Sequence, residues 1–246
     1  MTDSPFIFRP MLLRDYDATN RVMGAAFVNS IMPFLYPNGM TEADKDHAVA
    51  SLTRHLNDPN TSSRRMLAID PSASPDPEDV KNLEAPDRAA AESEGRVIGF
   101  AQWDFWLKDR TADEIAAVKA AKKAEGLPPS ADPPFWETFF SALERSQREI
   151  LGARAHILLH ILATEPQYHR RGVGAWQLKW GLDQADILGI PAYLEATEAG
   201  RPLYERWGFE AIRPVGVDPK WYGGKTDCDP LIMLRPAKGP SNGNIK

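Results

Sequence analysis

The sequence contains very little cysteine: Cys228 is the only one among 246 residues. One thiol forms no intrachain disulfide and no cysteine metal cluster, and such a composition is typical of a reducing compartment. No apolar run approaches the ~20 residues that a membrane-spanning helix needs. The first residues also lack the basic and then apolar pattern of a secretory signal. We therefore expect a cytoplasmic protein with no membrane partner.

An excess of positive charge is also missing. The chain has 29 Lys and Arg against 34 Asp and Glu, a formal net charge of -5. Nucleic acid rewards a clustered basic face, so we expect no nucleic-acid partner. A length of 246 residues with 43% hydrophobic content suits one large globular domain or two small ones. We predict a single domain over residues 1–236 and a disordered tail over 237–246.

The most informative stretch is the glycine-containing turn from Tyr168 to Ala175, which lies between two regular elements. The apolar run 157–163 before it is rich in strand formers and predicts a buried strand. After Gly174 the apolar residues recur at helical spacing, and this helix should end near Gly189. Two nucleotide motifs are absent: a Rossmann fingerprint needs a glycine where Gln177 stands, and a P-loop needs Gly-Lys-Ser/Thr.

A strand, a glycine turn and a helix in this order form an anion-binding geometry. Gly172 and Gly174 carry no side chain, so a ligand can approach the backbone closely. The first amide groups of the new helix have no partner within the helix and point outward. The turn is therefore predicted to bind a phosphate group.

Two motifs resemble those of the Gcn5-related N-acetyltransferase (GNAT) superfamily. The segment Arg171-Gly172-Val173-Gly174-Ala175 resembles the pyrophosphate-binding turn of that family, Gln/Arg-x-x-Gly-x-Gly/Ala, although His169 stands where Gln or Arg is usual. Downstream, Tyr204, Gly208 and Phe209 reproduce its second signature, Tyr-x-x-x-Gly-Phe. The match is strong over about the last third of the chain, and elsewhere it consists of the order of elements.

The resemblance implies a mixed α/β (α+β) fold. The GNAT fold has a central, mostly antiparallel, twisted sheet flanked by helices, and its fourth and fifth strands splay apart. It also implies acetyl-CoA as co-substrate, an amine acceptor as partner, and no metal. The residues implied to bind the cofactor come from the fourth strand and the turn; they are Leu162, Ala163, Thr164, His169, Arg170, Arg171, Gly172, Val173, Gly174 and Ala175.

Tyr204 occupies the position where the family often places its general acid. A phenol of pKa ~10 is reasonably matched to a thiolate leaving group of pKa ~8.5. The alternative is a packing tyrosine.

The general base is left open by the sequence. His160 lies in the predicted fourth strand, and His156 shares its face if that strand is regular. A His-x-x-x-His pair binds metal readily on a helix, which the surrounding residues do not favour. Some family members place a carboxylate on the fourth strand where this chain has Leu158. The remaining candidates are Asp104, Glu165 and a water-mediated transfer.

The first part of the chain predicts a strand at 6–11, a helix from there to about Val28, a helix over 42–56 capped by Thr41, and a strand at 65–69. Between the two helices, residues 32–40 contain two prolines and a glycine, which predict irregular structure. This segment either covers the core or forms a wall of the acceptor site.

Two insertions interrupt the family pattern. Residues 70–94 are acidic and proline-rich, and we predict a mobile loop. The strand at 95–107 follows and places Gln102, Asp104 and Trp106 on one face. Residues 108–152 then predict two helices, one from Thr111 to Gly126 and one starting at Asp132-Pro133. The aromatic stripe of the second helix is either core packing or a lid on the acceptor site.

The last elements predict an antiparallel hairpin, with strands at 211–215 and 231–235. Its long loop contains Trp221-Tyr222-Gly223-Gly224 and is either a surface connection or a second acceptor wall. The predicted function is acetyl transfer from acetyl-CoA to an amine of a small molecule or a protein. The alternatives are a non-catalytic acyl-CoA-binding sensor and an O-acetyltransferase; the sequence predicts no oligomeric state.

Overall fold

The computed structural model describes residues 5–27, 31–58, 62–224 and 228–238. Within these ranges one seven-stranded sheet has the order β1-β2-β3-β4-β5-β7-β6. Every neighbouring pair is antiparallel except β4 and β5, which are parallel. The predicted mixed, mostly antiparallel sheet is confirmed. The strands are β1 (Ile7–Pro10), β2 (Ser63–Asp70), β3 (Arg96–Trp106), β4 (His156–Thr164), β5 (Ala192–Ala196), β6 (Glu210–Pro214) and β7 (Leu231–Arg235).

Helices cover both faces of the sheet, and their ends follow the capping signals of the sequence. Thr111 accepts a hydrogen bond from the amide of Glu114 and Asp132 accepts one from Phe135, so both helices of the second insertion begin where predicted. The helices are α1 (Tyr16–Phe27), α2 (Met32–Leu35), α3 (Glu42–Asn57), α4 (Pro77–Val80), α5 (Ala85–Glu94), α6 (Ala112–Glu125), α7 (Pro133–Leu151), α8 (Val173–Leu188) and α9 (Arg201–Arg206). None of the described helices is long and apolar enough to cross a membrane.

The core lies on the two faces of the sheet. On one face α8 buries Leu178 and Leu182 against Trp103 of β3. The helix approaches closely because it has no side chain at Gly181, where a Cβ would lie 2.3 Å from the indole. On the other face, α1 and α3 cover β1 to β3, while α2 and α7 cover β4, β5 and β7. The sheet is therefore covered by α8 on one face and by α1, α2, α3 and α7 on the other.

The prediction of a mobile loop over 70–94 is wrong. β2 continues to Asp70, and α4 and α5 occupy most of the segment. Glu94 forms ion pairs with Arg9 and Arg14, and Asp79 pairs with Arg21. The loop was predicted because the segment has few apolar residues to bury, whereas its helices are held to the domain by ion pairs.

Residues 32–40 are not irregular throughout, because α2 forms one turn of helix. Pro33 lies in its first turn, where the missing N–H costs no hydrogen bond. Leu35 is buried, and the Phe34 ring packs 5.6 Å from that of Phe135 on α7. These contacts favour the core-covering interpretation of the segment.

The helical insertion between β3 and β4 is confirmed, and its aromatic stripe faces the protein. Phe135 and Phe139 are buried, while Trp136 and Phe140 are half-buried. The structure thus supports core packing for the first two.

The final antiparallel pair of strands is also confirmed. Val28 and residues 239–246 of the predicted tail lie outside the described residues, but Lys238, within the predicted tail, pairs with Asp186 at 2.6 Å.

Candidate active site

The glycine turn has a backbone that glycine makes possible. Gly172 is the N-cap of α8 with φ of +88°, in the left-handed region, and open space surrounds the direction of a Cβ. Glycine is therefore needed at this position for its backbone conformation and not for lack of space. Gly174 differs, since a Cβ there would only touch side chains of Leu203, Thr164 and Leu162 at 3.6–3.9 Å. The helix N-terminus is thus directed at the end of β4, and its first amides are available to an anion.

The side chains of the turn are engaged with the protein. His169, the departure from the family pattern, donates from Nε2 to the carbonyl of Thr164 over 3.0 Å. The guanidinium of Arg171 lies 4.6 Å from the centre of the Tyr168 ring and 5.3 Å from that of Phe6. Arg170 is exposed and has φ of +61°.

β4 and β5 separate after three paired residues. The parallel pairs run from Ile157 with Ala192 to Leu159 with Leu194, and no described strand pairs with that edge of β4 beyond them. On its other edge β4 stays paired with β3 as far as Thr164. Peptide groups of residues 161–164 that face the split are therefore open to a ligand. This confirms the splayed strands that the family resemblance implied, and it places Leu162, Ala163 and Thr164 on the open edge.

His160 is an extra residue in β4. Gln102 pairs with Ile161 and Trp103 with Leu159, so a bulge leaves His160 without a partner in the register. The bulge brings His160 Nε2 to 2.8 Å from Oδ2 of Asp104. Burial of Asp104 by itself raises the pKa of this carboxyl group. The charge and the hydrogen bond of His160 lower it by more, so the net pKa is lowered. An ionised carboxylate accepts from Nε2–H, which leaves Nδ1 of a neutral imidazole as a proton acceptor.

Glu195 is a site residue that the sequence interpretation missed. It lies on β5, directly after the last residue that pairs with β4, and on the same strand face as Tyr193. Burial raises its pKa to about 7, although the charge of His160 and the hydroxyl of Tyr193 oppose the rise. The signal was present, since a Glu within an otherwise apolar strand at the split is unusual.

The other candidates for the base are occupied. The His156 ring is fully buried, donates from Nδ1 to the Arg154 carbonyl at 2.7 Å and accepts from Gln147 at 3.0 Å. Both ring nitrogens are therefore used. Glu165 accepts from two arginines, and this pairing lowers its pKa against the effect of burial. Neither group is available to take a proton from a substrate.

Tyr204 lies on the α8 face of the sheet. Its ring is buried in the α8 side of the core and packs at 6.0 Å on that of Phe209, the last residue of the second motif. Burial raises its pKa, so the phenol stays protonated at neutral pH. The hydroxyl lies beside Gly200, where a Cβ would be 3.3 Å away. Tyr204 thus lies on the α8 face of the sheet, whereas the His160–Asp104 pair lies on the other face.

Among the residues that the structure describes, no group of three or more His, Cys, Asp or Glu side chains could hold a metal ion.

No protein-family model matches the chain. A probable acyltransferase, SID5, of Ajellomyces capsulatus is 44% identical over 48 residues, which span 20% of this chain and 35% of that protein. The chain therefore aligns with about a third of that relative.

Solved structures resemble the whole chain. A protein described as histone acetyltransferase HPA2 and related acetyltransferase from Corynebacterium glutamicum gives a TM-score of 0.54 at 18% identity, covering 96% of this chain and 98% of that one. The polyamine N-acetyltransferase of Drosophila melanogaster gives 0.54 at 15% identity, covering 93% and 97%. A mosquito arylalkylamine N-acetyltransferase-like protein gives 0.53 at 17% identity, covering 93% and 97%. At these identities the likeness shows the fold alone: the chain has the fold of these acetyltransferase structures.

Proposed function

We propose that this protein is an acetyl-CoA-dependent N-acetyltransferase that acts on an amine of a small molecule or a protein. The observation that carries the proposal is the placement of Tyr204 and the His160–Asp104 pair on opposite faces of the sheet in which β4 and β5 part. An acyl-CoA-binding sensor needs the turn and the split, but it has no need for a proton donor and acceptor on either side. The names of the structural neighbours, which include polyamine and arylalkylamine N-acetyltransferases, favour an amine acceptor.

The cofactor would enter along the α8 side. The pyrophosphate would bind the amides at the N-terminus of α8, and the open edge of β4 at residues 161–164 would pair with the pantetheine arm. Gly174 faces Leu162 and Thr164, so the turn and the strand edge are contiguous. The thioester would then reach the split, where peptide N–H groups can polarise its carbonyl oxygen.

In the proposed reaction, the proton acceptor lies on one face of the split and the proton donor on the other. A neutral amine attacks the thioester carbon, and the nitrogen gives its proton to Nδ1 of His160, whose Nε2–H is fixed by Asp104. When the C–S bond breaks, the thiolate takes the phenolic proton of Tyr204. The products are the acetylated amine and CoA thiol. Glu195, half-buried where β5 parts from β4, can receive the proton next and return the imidazole to its neutral form. The proton taken from the amine finally restores the phenol of Tyr204 through solvent, so no net proton is gained or lost by the protein.

The test is a thiol-release assay with acetyl-CoA across a panel of amines: agmatine, a polyamine, an arylalkylamine and a lysine peptide, with a matched alcohol for O-acetylation. We expect CoA release that depends on an amine and is lost in His160→Ala. Binding of CoA without acceptor-dependent release from any amine would favour the sensor, and release with the alcohol alone would favour an O-acetyltransferase.

A further inference from the structure

We propose that Glu165 positions the phosphate-binding turn, and that the acidic insertion of residues 71–94 serves this positioning through Asp76 and Asp79. The proposal rests on the proposed function, because it takes the turn to be the site of the CoA pyrophosphate. The turn follows Glu165 immediately: the amide of Tyr168 donates to the carbonyl of Glu165 over 2.8 Å. The orientation of Glu165 therefore sets where the turn begins.

Two arginines hold the Glu165 carboxylate. Arg21, from α1, donates from Nη1 to Oε1 over 2.5 Å. Arg96, at the start of β3, binds both oxygens, with Nη2 to Oε1 at 2.6 Å and Nε to Oε2 at 3.1 Å. The Glu165 side chain is only 9% exposed. A buried carboxylate with fork-like contacts on both oxygens has one orientation, so it acts as a fixed anchor.

Two aspartates of the insertion bind the same two arginines from the side opposite Glu165. Asp79 of α4 accepts from Nε and Nη2 of Arg21 at 3.0–3.1 Å, and Asp76, the N-cap of α4, lies 3.4 Å from Arg96. Each arginine is thus bound by Glu165 on one side and by an insertion aspartate on the other. Arg21 Nη2 also donates to the carbonyl of Val97 over 2.8 Å, which ties the cluster to β3.

The charges explain why an ordered insertion is needed at this place. With Glu165 alone, the two guanidinium groups would lie part-buried with a surplus of positive charge, which is costly in a low-dielectric environment. Asp79, whose side chain is 5% exposed, and Asp76 offset this surplus, so three carboxylates surround the two guanidinium groups. Among the described residues their side chains bind the arginines and not the turn, so we expect their effect on ligand binding to pass through the arginines and Glu165. Asp76 and Asp79 are therefore positioning residues.

The same insertion contains its own control. Glu94, the last residue of α5, lies at the other end of the insertion from α4; it is held by Arg9 and Arg14 and so anchors the insertion away from the turn. Glu94→Gln weakens the docking of the insertion without altering the charges around Arg21 and Arg96. Comparing it with Asp79→Asn separates a general loosening of the insertion from a specific effect on the turn.

The experiment measures CoA affinity by calorimetry, melting temperature, and the Michaelis constants of acetyl-CoA and of the acceptor for wild type, Asp79→Asn, Asp76→Asn and Glu94→Gln. For the two Asp variants we expect CoA binding weaker by roughly three- to thirty-fold. The KM of acetyl-CoA should rise likewise, whereas the KM of the acceptor and kcat at saturating acetyl-CoA stay unchanged. Glu94→Gln should lower the melting temperature and leave CoA affinity intact.

Wild-type CoA affinity in a folded Asp79→Asn variant would overturn the inference, and so would an equal loss in Glu94→Gln. A wild-type protein that binds no CoA would instead remove the proposed function itself. Since the aspartates lie outside the turn, Glu165→Gln is a second variant that tests the anchor directly: its CoA affinity should fall further than that of Asp79→Asn. An affinity that is unchanged in Glu165→Gln would contradict the positioning role.

Discussion

His160 Nε2 and Asp104 Oδ2 lie 2.8 Å apart although their residues are not partners in the β3–β4 register, where Asp104 faces Leu158. The bulge in β4 produces this contact, because it adds one residue between the positions opposite Gln102 and Trp103. In a regular strand the imidazole would be displaced along β4. The bulge therefore both creates the candidate base and opens the strand edge beyond it.

Asp104→Asn should reduce turnover by about 10²-fold or more while the fold survives, since the neutral amide no longer fixes the Nε2–H form of His160. The measurement is kcat with a verified amine, together with CoA affinity, which should not change. Asp186→Asn is the matched control: this aspartate also has a lowered pKa and pairs with Arg235 at 2.6 Å, far along α8 from the turn. Equal activity in the two variants would remove Asp104 from the mechanism.

Tyr204→Phe should keep the packing on Phe209 and remove the phenolic proton. If Tyr204 protonates the thiolate, kcat should fall by about 10²- to 10⁴-fold with CoA affinity spared. Calorimetry gives the CoA affinity, and steady-state kinetics with the same acceptor gives kcat for the variant and the wild type. An unaltered kcat would leave Tyr204 as a packing residue, and weaker CoA binding with normal turnover would make it a cofactor-positioning group.

Gly172→Ala should weaken CoA binding, because a φ of +88° costs a residue with a Cβ about 1–2 kcal/mol and relief of that strain would move the turn. Gly189→Ala is the control at the other end of the same helix: it has φ of +64° and open space around a Cβ. Calorimetric unfolding should show a similar loss of stability in both variants. CoA affinity should fall only in Gly172→Ala, and an equal affinity in the two would exclude the turn as the phosphate site.

Glu195→Gln should alter how stability depends on pH. Burial raises the folded pKa of Glu195 to about 7 from the ordinary 4.5, so the folded state binds the proton more tightly than the unfolded state. The resulting stability is fully present below about pH 4.5 and is lost as pH rises through 7. The melting temperature of Glu195→Gln relative to wild type should therefore be higher at about pH 8 than at about pH 5. A difference that is constant with pH would contradict the raised pKa.

Phe139→Ala should destabilise the fold by about 3–5 kcal/mol, because a buried ring of α7 leaves a cavity in the core. Trp136→Ala, half-buried on the same helix, should cost less. Denaturant unfolding gives both values. If either change instead raised the KM of the acceptor with stability intact, α7 would act as a lid.

The order of elements followed from local signals in the sequence. The strand at 157–163, the helix ending near Gly189 and the caps at Thr111 and Asp132 all depend on residues close together in the chain. The turn and the Tyr-x-x-x-Gly-Phe motif were readable for the same reason, since a left-handed glycine and a fixed spacing are local properties. These features determined the superfamily resemblance and the location of the phosphate site.

The choice among proton acceptors depended on distant residues. His156 and Glu165 are indistinguishable from His160 as sequence candidates, but Gln147 and the two arginines that engage them come from other elements. The order in residues 71–94 likewise rests on ion pairs with Arg9, Arg14 and Arg21. Composition shows that such charges exist and does not show their pairing.

The sequence by itself determined the sheet-and-helix order and the glycine turn, because backbone preference and periodicity act over a few residues. Only the tertiary structure decided that His160 lies in a bulge beside Asp104, that Glu195 lies where β5 parts from β4, and that Tyr204 lies on the opposite face of the sheet. Strand register, burial and charge pairing are properties of residues far apart in the chain, and they set both the pKa of each group and its access to a substrate.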